Sequence, residues 1–221
     1  MDLETIDIET GSNPEAAVIW LHGLGADAHD FEPVVPALGL GKDFPIRFVF
    51  PNAPVRPVTI NAGVAMRAWF DVVALDRSAP EDETGVRESV AAVEQLIKRE
   101  NGRGIDSGHI VLAGFSQGGA IALFTALRYK HSLAGVIALS TYLPLPEIVE
   151  RETNAANANL PIFLAHGLFD EIVDIELARS SRNKLQDLGF QVDWRKYPMP
   201  HSVVIEELDD IRSFLAAVFR C

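Results

Sequence analysis

Short runs of apolar residues alternate along the chain with segments whose apolar positions recur every three or four residues. Ala16–Leu21 (AAVIWL), Ile46–Phe50 (IRFVF), His109–Ala113 (HIVLA), Ala134–Leu139 (AGVIAL), Ile162–Ala165 (IFLA) and Val192–Tyr197 (VDWRKY) have the length of strands. Runs with few polar breaks suit strands covered on both faces, as in parallel sheets. Val86, Val90, Val93 and Ile97 follow helical spacing and stop at Asn101-Gly102. Val204, Leu208, Ile211, Leu215 and Val218 repeat that spacing, with Glu206, Glu207, Asp209 and Asp210 on the opposite face. Strands alternating with such helices predict an α/β fold with a mainly parallel sheet, as one domain over residues 1–221. Asn52–Pro80 breaks the rhythm. Its prolines and its apolar Ile60, Met66, Trp69, Phe70 and Leu75 predict an irregular loop packed over the sheet's edge or over a site.

Composition narrows the function classes. With 48% hydrophobic and 23% charged residues the chain can bury a core, which excludes disorder. A formal charge of -12 argues against nucleic acid or an anionic membrane surface as partner, since both demand basic patches. The single cysteine, Cys221, excludes an internal disulfide framework, and its place at the end of the chain speaks against a catalytic thiol. MDLETIDIET carries acid where a signal peptide carries base, and every apolar run is far shorter than the roughly 20 residues that span a bilayer. A cytoplasmic protein without a stable membrane anchor is expected.

The sharpest chemical signal is Gly114-Phe115-Ser116-Gln117-Gly118, between the strand His109–Ala113 and the helical run Ala120–Leu127. Strand, tight turn and helix are the setting of a nucleophile elbow, in which the serine's backbone is strained and its neighbours two positions away must be small. The free N–H groups of the helix start also suit a developing oxyanion. A serine needs a base. In the order serine, acid, histidine, His131 lies too close to the elbow helix and His166 precedes the acids. His201, in the loop Pro198–Ser202 after a strand, is the base expected. Asp170, Glu171 and Asp174 follow the strand Ile162–Ala165. Asp170 stands first in that turn and is the acid expected to orient His201, whereas Asp174 reads as the N-cap of the helix beginning at Ile175. The backbone N–H groups of Gln117 and of Leu24, the latter in the glycine loop His22-Gly23-Leu24-Gly25, are the expected oxyanion donors. Clustered His22, Asp27, His29 and Asp30 match no defensible zinc spacing, so neither a metal nor an organic cofactor is called for.

Leu21–Gly25, Gly114–Gly119 and Pro200-His201-Ser202 together resemble the phospholipase/carboxylesterase family of α/β-hydrolases, which includes bacterial carboxylesterases and acyl-protein thioesterases. Phe50–Pro54, Trp69-Phe70-Asp71, Ser140–Pro144 and His166–Asp170 extend the likeness over residues from about 17 to 203. The resemblance implies an α/β-hydrolase fold with helices on both faces of the sheet, a triad of Ser116, Asp170 and His201, and Leu24 and Gln117 as oxyanion donors. It also implies that Tyr142 and Ile172 lie near the acyl chain, and that homodimers are an option, although no sequence feature specifies an interface. Trp69, in the apolar loop, is a further expected pocket residue. The family usually has proline where this chain has Asp174, and the extra charge is expected to disfavour anionic substrates. At 221 residues there is little room for a cap domain, which implies an open site. The activity expected first is hydrolysis of short- to medium-chain carboxylic esters through an acyl-serine. The alternative is an acyl-protein thioesterase or lysophospholipase acting on longer chains. In either case the partner is a small ester or thioester.

Overall fold

In the computed structural model, which describes residues 2–40, 44–75 and 79–219, the apolar runs form one central sheet. Its strands are β1 (Thr5–Glu9), β2 (Ala16–Leu21), β3 (Ile46–Pro51), β6 (Ile110–Phe115), β7 (Gly135–Leu139), β8 (Ile162–Gly167) and β9 (Val192–Tyr197), while β4 (Val55–Val58) and β5 (Val64–Arg67) form a separate hairpin. The spatial order is β1-β3-β2-β6-β7-β8-β9, parallel except for β1. Six helices connect them: α1 (Val34–Leu38), α2 (Glu83–Gly102), α3 (Gln117–Arg128), α4 (Pro146–Glu152), α5 (Ile175–Asp187) and α6 (Ile205–Phe219).

Strand alternation divides the interior into two cores. Ala17, Ile19 and Leu21 of β2 face α2, α3, α4 and α5, while Ala16, Val18 and Trp20 face α1 and α6. Both faces of the sheet are therefore covered by helices. Every position of β2, β3, β7 and β8 is buried, which is why these runs carry almost no polar residues. The edge strand β1 obeys a different rule. Ile6 and Ile8 pack on the α1/α6 core, and the alternate residues Thr5, Asp7 and Glu9 meet arginines. Arg99 donates to Thr5 at 2.8 Å, Arg103 to Asp7 at 2.6 Å, and Arg47 to Glu9 and to the fully buried Glu100, both at 2.8 Å.

The segment between β3 and α2 differs from the irregular loop expected. Val55–Val58 and Val64–Arg67 pair as an antiparallel hairpin, turned through Ala62 and Gly63 at φ 55° and 76°. Pro57 and the solvent-facing Val55, Ile60 and Val64 hide its alternation in the sequence. Residues 76–78 of this stretch, and Cys221, lie outside the described residues. No helix among the described residues is long and apolar enough to cross a membrane.

One buried group opposes the packing. Glu207, in the first turn of α6, is fully buried, and among the described residues no well-formed hydrogen bond offsets the burial of its carboxylate, which has only the Val204 backbone N–H nearby. Burial, aided by the charge of Asp210, pushes its carboxyl up to about 8. The folded state therefore holds a proton that the unfolded chain releases above its ordinary value of 4.5, so stability falls as pH rises from there to about 8. Glu207→Gln is expected to flatten that fall and to raise the urea midpoint at pH 8; an unchanged slope of midpoint against pH would contradict this.

Candidate active site

β6 ends in the turn that carries Ser116, the expected nucleophile. Ser116 adopts φ 53°, ψ -121°, and α3 starts at the next residue. A side chain with φ in this region is strained, and the turn is tolerated only because its neighbours are small. A Cβ on Gly114 would fall 2.4 Å from the Gly118 carbonyl, and one on Gly118 2.4 Å from the Leu21 oxygen. Glycine at 114 and 118 is thus a requirement of backbone contact between α3 and the strands β2 and β6.

The expected acid and base, Asp170 and His201, come from neighbouring strand ends. The loop after β8 is tied to the loop after β9 by Leu168 N–H to Tyr197 O at 2.8 Å and Phe169 N–H to Met199 O at 3.1 Å. Gly167 sits so close to this second loop that a Cβ would lie 2.4 Å from Met199 O. Asp170 Oδ1 accepts the Ile172 and Val173 N–H groups, each at 2.9 Å. Asp170 Oδ2 lies 2.7 Å from His201 Nδ1 and 3.3 Å from His166 Nε2. Burial alone would raise the Asp170 carboxyl, but the contacts from His166, His201 and Val173 outweigh it and hold the group well below the usual carboxylate range. His201 Nδ1 faces this carboxylate, and its ring packs on Phe115 with centroids 4.6 Å apart. Of the other two acids, Asp174 caps α5 by accepting the Glu176 N–H at 2.9 Å, and Glu171 is exposed. His131 is exposed and lies apart from these groups.

Ser116 and His201 line one cleft of about 230 Å³ together with Gly23, Leu24 and Gln117. As the first residue of α3, Gln117 has no intrahelical carbonyl to reach, and its N–H remains available. Leu24 lies in a loop whose shape is fixed from behind. The His22 ring accepts the Ala53 N–H at Nε2 (3.0 Å), which leaves Nδ1 protonated to donate to Gly23 O at 2.7 Å. Burial, the largest influence, holds the His22 pKa below its ordinary value, consistent with this neutral tautomer. With both ring nitrogens engaged, His22 is a loop-organising residue. Gly25 N–H donates to Arg67 O at the end of the hairpin.

Two features lie beyond what the sequence reading found. The Gln117 side chain clamps the segment after β5, accepting Trp69 N–H and donating to Phe70 O, both at 2.8 Å. Trp69 was expected in the pocket, but it stands behind the site. Its ring is fully buried, and Nε1 donates to His22 O at 2.9 Å, so it supports the glycine loop from the far side of the cleft. Its neighbour Phe70 lines the cleft instead, with Val72, Leu75, Tyr142 and Ile172. The parity of a short extended segment decides which of two adjacent aromatics faces the site, and no periodic pattern fixes that parity here.

Comparison with known proteins places this geometry in context. A family model described as phospholipase/carboxylesterase matches residues 3–219. Acyl-protein thioesterase 1 of Mycosarcoma maydis is 40% identical over 96% of this chain and 95% of its own. The protein of the same name from Neurospora crassa is 41% identical over 90% and 85%. Among solved structures, SOBER1 of Arabidopsis thaliana superposes with TM-score 0.87 at 30% identity, covering 92% of this chain and 98% of its own. Acyl-protein thioesterase 2 of Zea mays gives TM-score 0.87 at 28% identity, covering 98% and 99%.

The two neighbouring acids separate cleanly by substitution. Asp170→Asn is expected to lower kcat by about 10⁴-fold while preserving the fold. Asp174→Ala should cost about 1 kcal/mol of stability through loss of the cap and leave kcat unchanged. Steady-state kinetics and urea unfolding of both variants test this; equal losses of kcat would reject the assignment.

Proposed function

The chain belongs to the phospholipase/carboxylesterase family and is a serine hydrolase, and we propose that it is an acyl-protein thioesterase, releasing a long acyl chain from a cysteine thiol. The observation that carries this reading is the 36 to 41% identity, over 90 to 96% of the chain, to five relatives named acyl-protein thioesterase 1. The sequence alone put short- to medium-chain ester hydrolysis first and this activity second; the relatives favour the second. Leu24, Phe70, Val72, Leu75, Tyr142 and Ile172 support it by giving the cleft a mostly apolar wall on which methylene groups gain transfer free energy. The reading keeps the cytoplasmic location expected from the sequence.

In this mechanism His201 takes the proton of Ser116 as Oγ attacks the thioester carbonyl. Asp170 holds the imidazole with Nδ1 protonated and stabilises the imidazolium that forms. The tetrahedral oxygen is received by the N–H groups of Leu24 and Gln117. Collapse breaks the C–S bond, and the thiol leaves with the proton from His201. Water then attacks the acyl-serine as His201 accepts its proton; the acyl C–Oγ bond breaks, His201 returns the proton to Ser116 Oγ, and the carboxylic acid is released. A thiol is more acidic than an alcohol, so departure asks less of His201 than it would for an ester. Binding energy along the apolar wall is therefore the main lever on rate.

The test is hydrolysis of S-acetyl, S-octanoyl and S-palmitoyl peptides beside p-nitrophenyl esters from acetate to decanoate, with Ser116→Ala as control. kcat/KM should rise at least about tenfold from acetyl to palmitoyl as methylene burial accumulates, and the variant should lose several orders of magnitude. Turnover confined to short oxygen esters would reject the thioesterase reading in favour of a carboxylesterase.

A further inference from the structure

Both peptide groups that flank Ser116 are held by one short piece of chain, the end of β7. On the N-terminal side, Ser116 N–H donates to Leu139 O at 2.8 Å. On the C-terminal side, Thr141 Oγ1 donates to Ser116 O at 2.6 Å. Between these anchors the chain bends sharply. Ser140 has φ 45° and is locked to β8 by its N–H to Ala165 O at 2.8 Å. Thr141 is fully buried, and the next acceptor near its hydroxyl among the described residues, Tyr142 O, is 3.5 Å away. Its single proton is thus committed to Ser116 O. The methyl of the same side chain packs on the first turn of α3, where a Cβ on Gly119 would lie 2.8 Å from Thr141 Cγ2.

The consequence follows from peptide planarity. The Ser116 carbonyl and the Gln117 N–H belong to one rigid unit and point in opposite directions. Gripping the carbonyl from one side therefore fixes the direction of the N–H on the other. The helix alone supplies a looser hold, the Ala120 N–H to Ser116 O bond at 3.1 Å. The Ser116–Gln117 peptide sits at a strained φ/ψ, where small rotations would otherwise relieve the strain. We propose that Thr141 is a positioning residue for the oxyanion site: its hydroxyl clamps the back of the Ser116–Gln117 peptide so that the Gln117 N–H is aimed at the developing oxygen. The inference rests on Ser116 as nucleophile and Gln117 as donor. It adds a residue that touches neither substrate nor reacting atoms.

Three substitutions separate the hydroxyl from the methyl. Thr141→Val keeps shape and loses the donor, Thr141→Ser keeps the donor and loses the methyl, and Thr141→Ala loses both. Removing an oxyanion donor outright costs about 10²- to 10³-fold, so misaiming one should cost about tenfold in kcat. With p-nitrophenyl butyrate, Thr141→Val and Thr141→Ala are expected to lose about that factor in kcat at unchanged KM, and Thr141→Ser to retain it. A trifluoromethyl ketone, which forms a tetrahedral adduct on the serine, should lose affinity by the same factor as kcat/KM. If Thr141→Val does not fold, the Ala and Ser pair carries the same comparison. Unchanged kcat and ketone affinity in the donor-less variants would overturn the proposal, as would an equal loss in Thr141→Ser. Ser116→Ala in the same assay tells these failures apart from failure of the nucleophile assignment, since that variant would then keep its turnover.

Discussion

The start of α3 lies against the ends of β2 and β6 at a distance that no side chain permits. The missing Cβ of Gly114 faces the backbone of Gly118 and Gly119, and that of Gly118 faces the carbonyls of Leu21 and His22. This contact forces Ser116 into its positive-φ conformation and brings the helix N-terminus beneath it. It also sets the glycine loop beside the serine: a Cβ on Gly23 would lie 3.5 Å from Ser116 Cβ. The relation of Ser116, helix start and glycine loop is therefore a packing consequence of missing side chains. The strain at Ser116 is sustained because the surrounding backbone bonds over-determine it.

Behind the glycine loop lies a connected set of buried polar contacts. His22, Ala53, Trp69 and Gln117 satisfy one another across three segments that are far apart in sequence. Ser89 of α2 extends the set by donating to Trp69 O. Buried polar groups must be paired, and a network whose members share partners permits few alternative arrangements. The segment after the hairpin thus acts as scaffolding for the loop through Trp69, while Phe70 supplies the cleft wall. Of these two adjacent aromatic residues, one braces the glycine loop and the other lines the cleft.

What the sequence made legible follows from this division. Strand-end motifs with glycine at fixed offsets announce themselves, because backbone contact leaves no latitude in residue type; Ser116, Asp170 and His201 all sit beside such glycines or in the loop that one contacts. Both-face burial likewise made β2, β3, β6, β7 and β8 readable as apolar runs. The strand β1 was missed because its alternation spans only five residues, and its partly exposed polar side pairs with Arg47, Arg99 and Arg103 from elsewhere in the chain. The hairpin was hidden by Pro57 and by exposed valines. Gln117's clamp and Thr141's grip were illegible for another reason: a polar side chain's partner is decided by tertiary placement, and local spacing carries no trace of it.

The arginine comb along β1 bears on the order in which the sheet is completed. Asp7 lies 92 positions before Arg99 and 96 before Arg103, the residues that hold it. β3, the pairing partner of β1, is nearer in sequence, so backbone pairing and the Arg47–Glu9 contact become available well before the Asp7 ion pairs do. A growing chain therefore passes through a period in which β1 is attached by its hydrogen bonds, by Ile6 and Ile8 and by the Arg47–Glu9 pair, before Arg99 and Arg103 reach Asp7. Closing so long a loop carries an entropic cost that is met only once α2 is in place. During synthesis this edge is thus fully secured only after α2 has followed β3, and its acidic residues keep that unfinished border charged and unattractive to other exposed strands.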